Sequence, residues 1–66
     1  MRVLVHGEAV ELRDGSTVRD LLLSLGRSEE GIAVAVNLEI VPRTQFARQE
    51  LRSEDRVDLV TAVGGG

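Results

Sequence analysis

Only one stretch of this sequence carries helical periodicity, and it is short. Val18, Leu21, Leu22 and Leu25 recur at i, i+3, i+4 and i+7, which lays four aliphatic side chains along one stripe. Thr17 with Asp20 fits a capping box at the start, Ser16 is a second candidate cap, and Gly26 suits the left-handed position just past the end. A helix of roughly nine residues is too short to stand alone in water, so packing must hold it. What it packs against reads as strand. Residues 2–6 alternate through Val3 and Val5, residues 9–12 through Val10 and Leu12, and a Gly7-Glu8 connection between them signals a hairpin. Residues 32–36 form a third strand that Asn37 ends. Residues 38–41 form a short fourth, closed by Pro42, which has no N–H for a ladder. Residues 43–48 read as an irregular or single-turn segment in which Phe46, with Leu51 after it, plugs the open end of the core. Ser53-Glu54-Asp55 is a turn, and residues 56–63 are the last strand.

This order, hairpin, helix, two strands and a last strand, defines an α+β unit with one helix across one face of a five-stranded mixed sheet. Its compact arrangement is a β-grasp with the first and last strands parallel in the middle, the helix covering Val3, Val5, Val57 and Leu59. Alternation then turns Asp58, Val60 and Ala62 to the uncovered face beside Leu4, with Ala33 or Ala35 close by. An apolar patch of Leu4, Val60 and Ala62 on so small a protein marks a partner docking surface. At its edge the chain runs into Gly64, Gly65 and Gly66, which divides it into a domain of residues 1–63 and a flexible tail of residues 64–66. Three bare glycines contribute little to folding, reach about 10 Å when extended, and can thread a channel closed to any other residue. They deliver the carboxylate of Gly66.

Composition narrows the function classes. At 66 residues the chain is one domain with little volume to spare for an internal cleft, which argues against an autonomous enzyme. Phe46 is the only aromatic residue and the net charge is −3, so neither stacking platforms nor a basic field is available for nucleic acid or anionic lipid. No apolar run is long enough to span a membrane or reads as a signal peptide, and a cytoplasmic monomer is expected. Cysteine is absent, which removes disulfides, thiolate nucleophiles and Cys-based zinc sites; lysine is absent too, every basic residue being arginine. His6 stands alone without the partners a metal would need and reads as a solvated edge residue, so no metal site is expected. Glu29-Glu30 and Glu54-Asp55 fall in loops and read as solvating charge. The glycine tail precedes no helix and is no phosphate loop.

Three segments together resemble the ThiS family of ubiquitin-like sulfur carriers: Asp14-Gly15-Ser16-Thr17-Val18 before the helix, Val36-Asn37-Leu38-Glu39-Ile40-Val41-Pro42-Arg43 in the middle, and Asp55-Arg56-Val57 leading to Ala62-Val63-Gly64-Gly65-Gly66. Leu38 departs from the glycine common there. The resemblance implies a protein co-substrate of the thiamine pathway with no cofactor of its own. A ThiF-like enzyme would adenylate Gly66 with ATP, Gly64 and Gly65 threading its active site; a sulfur donor would convert the adenylate to a thiocarboxylate, and a ThiG-like thiazole synthase would accept the sulfur. The absence of cysteine fits, because the C-terminus is then the one place where sulfur can reside. A carrier for molybdopterin or tRNA thiolation, a ubiquitin-like modifier joined through Gly66, and an interaction module with an idle tail remain alternatives at this point.

Overall fold

A computed structural model describes residues 1–61 and places, in chain order, β1 (Arg2–Val5), β2 (Glu8–Glu11), α1 (Val18–Ser24), β3 (Ile32–Val36), β4 (Glu39–Val41), a single 3₁₀ turn (Arg43–Gln45) and β5 (Arg56–Thr61). The last two positions expected in the final strand, Ala62 and Val63, and the tail of residues 64–66 lie outside the described residues. The sheet order is β2-β1-β5-β3-β4, with β5 parallel to β1 and antiparallel to β3. This is the expected topology, a mixed five-stranded sheet with the first and last strands adjacent at its centre.

The helix begins where the sequence indicates. Asp20 N–H donates to Thr17 Oγ1 at 3.3 Å while Thr17 N–H donates to Asp20 Oδ2 at 2.9 Å, closing the capping box. It ends at Gly26, whose φ of +69° allows Arg27 N–H to reach Leu22 O at 2.8 Å and Gly26 N–H to reach Leu23 O at 3.1 Å. That pair of bonds is a Schellman motif. The stop comes early, so the helix has seven residues. Of the four stripe positions Val18, Leu21 and Leu22 are buried, whereas Leu25 is the C-cap and stays partly exposed.

The helix's first free donors are met from far along the chain. Val18 N–H donates to Gln49 O at 3.0 Å and Arg19 N–H to Phe46 O at 2.9 Å, so two of the donors that every helix start leaves without an intrahelical partner fasten the segment after the 3₁₀ turn. Leu51 N–H donates to Ser16 O at 2.8 Å and completes the strap. Fixed in this way, Phe46 and Leu51 plug the open end of the core. They join Val3, Val5, Val18, Leu21, Leu22, Val34, Val36, Val41 and Val57 in one buried cluster, with Leu59 half-buried at its margin.

Both hairpins turn on two successive positive φ angles, the type I′ geometry whose twist matches the flanking strands. In the first these residues are His6 (φ +50°) and Gly7 (φ +82°), one position earlier than the Gly7-Glu8 connection read from the sequence. Histidine tolerates the left-handed region better than glutamate, and the slip lets Glu8 pair with Val5 in β2. In the second they are Asn37 (φ +51°) and Leu38 (φ +71°). Asn37 is suited to that conformation and is tied down besides: Arg56 N–H donates to its Oδ1 at 3.0 Å, its Nδ2 donates to Asp55 Oδ1 at 3.0 Å, and its N–H donates to Arg56 O at 2.8 Å. Leu38 has a β-carbon where glycine would be unstrained, and its side chain is 89% exposed. It therefore bears a conformational cost without burial to offset it.

Replacing Leu38 with glycine is accordingly expected to stabilise the domain by about 1 kcal/mol, since a left-handed L-residue costs roughly 1–2 kcal/mol and the greater freedom of glycine when unfolded takes part of that back. Thermal denaturation should show a rise of several degrees, and a fall would mean that the Leu38 side chain contributes contacts to the fold.

Candidate functional site

The strand that leads into the C-terminal segment is the central one, and its alternation decides what lies at the root of that segment. Val57 is fully buried under the helix and Leu59 is half-buried on the same side, so Arg56, Asp58 and Val60 turn to the open face. The register fixes their neighbours: Val60 lies opposite Ala33 and Asp58 opposite Ala35 on β3, Ala35 lies opposite Ile40 on β4, and Leu4 lies beside Arg56 on β1. Leu4 and Val60, taken from the sequence as docking residues, thus share one face, Leu4 half-buried and Val60 63% exposed. Both alanines stand there, where the sequence left a choice of one. Ala62, Gly64, Gly65 and Gly66 lie outside the described residues.

Two apolar contributors to this face were not identified from the sequence. Ile40 is 71% exposed and belongs to it through its pairing with Ala35, while Leu38 continues the apolar surface around the hairpin tip toward Leu4, Asn37 and Arg56. The available signal was the inward position of Val41 before Pro42, which by alternation turns Ile40 outward. The patch is therefore a band across the sheet from Leu4 to Ile40, interrupted by the charges of Arg56 and Asp58, rather than a spot around Val60.

His6 also does more than a solvated edge residue would. The β1 ladder ends where His6 N–H donates to Val57 O at 3.2 Å, and the next outward donor of β5, Leu59 N–H, is taken by His6 Nε2 at 3.1 Å. The same Nε2 lies 3.1 Å from Leu59 O, and Nδ1 lies 3.8 Å from Asp58 Oδ1. The imidazole continues the ladder by one rung with a side chain. Among the described residues no cluster of three or more His, Cys, Asp or Glu side chains could hold a metal, and no helix is long and apolar enough to cross a membrane. On the helix, a hydrogen bond at 2.7 Å from Arg19 to Glu29 raises the arginine's pKa above its ordinary value.

This assignment of faces predicts how charge is tolerated. Val60→Arg or Ile40→Arg is expected to change stability by no more than about 1 kcal/mol, as exposed substitutions do, whereas Val57→Arg buries a charge and should abolish cooperative unfolding. Thermal melts of the three variants test it, and an unfolded Val60→Arg protein would reverse the assignment.

Comparison with known proteins agrees with this architecture. Residues 2–66 match the sequence model of the ThiS family. The chain is 35% identical over 66 residues to the sulfur carrier protein ThiS of Escherichia coli, covering the whole of both. It is also 35% identical over 66 residues to a thiazole synthase of Paramagnetospirillum magneticum, where it spans all of this chain and only 20% of the relative. Among solved structures, the crystal structure of the thiamine biosynthesis protein ThiS from Geobacter metallireducens superimposes with a TM-score of 0.84 at 26% identity, covering both chains completely. Matched from its second residue through the glycines at its end, and folded in the same way, the chain belongs to the ThiS family.

Proposed function

We propose that this protein is a sulfur carrier of thiamine biosynthesis and that Gly66 bears the sulfur. The observation that carries the reading is the full-length similarity to the Escherichia coli sulfur carrier, which extends through the three glycines at the end. The chemistry is set by what a carboxylate lacks. Ionised at neutral pH, it resists nucleophiles, so it must first be activated. A ThiF-like enzyme supplies ATP: a Gly66 carboxylate oxygen attacks the α-phosphorus, pyrophosphate leaves, and an acyl-adenylate remains. A donor of sulfide-level sulfur then attacks the carbonyl carbon, the carbon–oxygen bond to AMP breaks with its electron pair leaving on AMP, and loss of the sulfur's proton leaves a thiocarboxylate. The protein takes part as a co-substrate, and the catalytic groups belong to its partners.

Thiazole synthase is the acceptor this reading favours. A segment similar to this whole chain accounts for 20% of the Paramagnetospirillum magneticum thiazole synthase, so in that protein carrier-like and synthase sequence share one polypeptide. The band of Leu4, Val60 and Ile40 serves as the docking face, to which the sequence pattern adds Ala62, while Gly64 and Gly65 pass through the narrow entrance of the partner's active site. A carrier visits one enzyme for activation and another for sulfur delivery, which suits a face of modest apolar area interrupted by charge.

Gly66→Ala is expected to leave circular dichroism and melting unchanged while nearly abolishing ATP–pyrophosphate exchange with the adenylating enzyme, because a β-carbon does not fit a channel shaped for glycine. Normal exchange by this variant would remove the channel account. Intact-mass measurement of protein from its native cell tests the chemistry itself: a species with one oxygen replaced by sulfur at Gly66 is expected, and its absence under thiamine starvation would overturn the carrier reading.

A further inference from the structure

We infer that this chain is kept free of competing nucleophiles, so that an acyl group activated on one copy's terminal glycine cannot be captured by another copy. The inference rests on the adenylation of Gly66 proposed above. An acyl-adenylate is open to attack by an accessible unprotonated amine or a thiolate as well as by a sulfur donor. When an amine attacks, its nitrogen forms a bond to the carbonyl carbon, the carbon–oxygen bond to AMP breaks, AMP leaves with the electron pair, and the amine proton passes to water. The product is an amide-linked dimer that carries no sulfur.

The residues that would do this are missing from the sequence: there is no cysteine, and all eight basic residues are arginine. A guanidinium stays protonated and delocalised and offers no lone pair. The fold does not demand this choice everywhere. Arg2 and Arg19 make forked contacts with Glu54 and Glu29 that suit a guanidinium, but Arg13, Arg27 and Arg48 are exposed residues at which a lysine would serve solubility equally well.

Two nitrogen nucleophiles remain, and the structure engages both. The Met1 ammonium donates to Leu12 O at 2.8 Å and lies 3.4 Å from Asp14 Oδ1 and 3.9 Å from Glu11 Oε2, with the Met1 side chain only 6% exposed. These contacts hold the amine nitrogen against the end of the β1–β2 hairpin, with its N–H groups directed at three oxygens. His6 presents Nε2 to Leu59 N–H at 3.1 Å and turns Nδ1 toward Asp58. The serine and threonine hydroxyls are weak nucleophiles unless a base activates them.

The test restores amines without altering charge. The parent chain and a triple variant, Arg13→Lys, Arg27→Lys and Arg48→Lys, are each incubated with the adenylating enzyme and magnesium ATP in the absence of a sulfur donor. Covalent dimers are then measured on denaturing gels and by intact mass. The variant should accumulate amide-linked dimer several-fold above the parent at equal rates of pyrophosphate exchange. Equal dimer yields at equal exchange would overturn the inference. If neither chain supports exchange, the adenylation reading fails instead. The same comparison is then made on both chains prepared as C-terminal thioesters by intein cleavage, where equal aminolysis again overturns the inference.

Discussion

The parallel pairing of β1 with β5 is the constraint on which the rest of the structure depends. Parallel neighbours cannot be joined by a tight turn, so somewhere between Val5 and Arg56 the chain must leave the sheet, cross one face and return. The helix makes that crossing, β3 and β4 fill the far side, and the strap from Phe46 to Leu51 brings the chain back beneath the helix start. The pairing of Leu4 with Arg56 closes a loop of 52 residues, a non-local contact of the kind that slows folding relative to helical chains. The same pairing puts the last strand in the middle of the sheet. Thr61 therefore hands the chain on from a strand whose start is flanked by β1 and whose end is paired with β3.

Much of this was legible in the sequence because the signals there are periodic or chemical. The i, i+3, i+4 stripe, the Thr17-Asp20 capping box and the C-terminal Gly26 each have a local cause, and each is present in the fold. Period-2 alternation correctly turned Val57 inward and Val60 outward. The turn at His6-Gly7 was misplaced by one residue because it rests on how well histidine and glutamate tolerate a positive φ, a difference of little energy in a window of two residues. Ile40 was overlooked because a three-residue edge strand offers too few positions for alternation to be read. The bonds from Val18 and Arg19 to Gln49 and Phe46 lay beyond any local signal, since a helix start advertises free donors without naming their acceptors.

The residues that gave the sequence its family likeness divide by role. Asn37, Asp55 and Arg56 form a clamp at the base of the sheet, where the Asn37 side chain bonds to both of the others and Arg52 N–H donates to Asp55 Oδ2 at 2.7 Å. The clamp fixes where β5 starts, and through the strict period of two it fixes which side chains reach each face up to Thr61. Thr17 and Asp20 fix the helix start. The clamp and Thr61 are thus at opposite ends of one strand, connected by register. A shift of one residue at the clamp would exchange Val57 with Asp58, placing a carboxylate in the core and an aliphatic side chain on the open face.

His6 gives this arrangement one further property. A central strand that outruns its neighbour exposes a row of unpaired donors and acceptors, and such a row is a template on which another copy of the chain can add a strand. At Leu59 the template is already occupied by a ring borrowed from the turn that ends β1. Because the blocking group is a side chain, it can be removed by rotation about its own bonds, with no strand displaced and no core contact broken. One rung of the ladder on β5 is thus closed by a side chain, at the point where β1 no longer pairs with it.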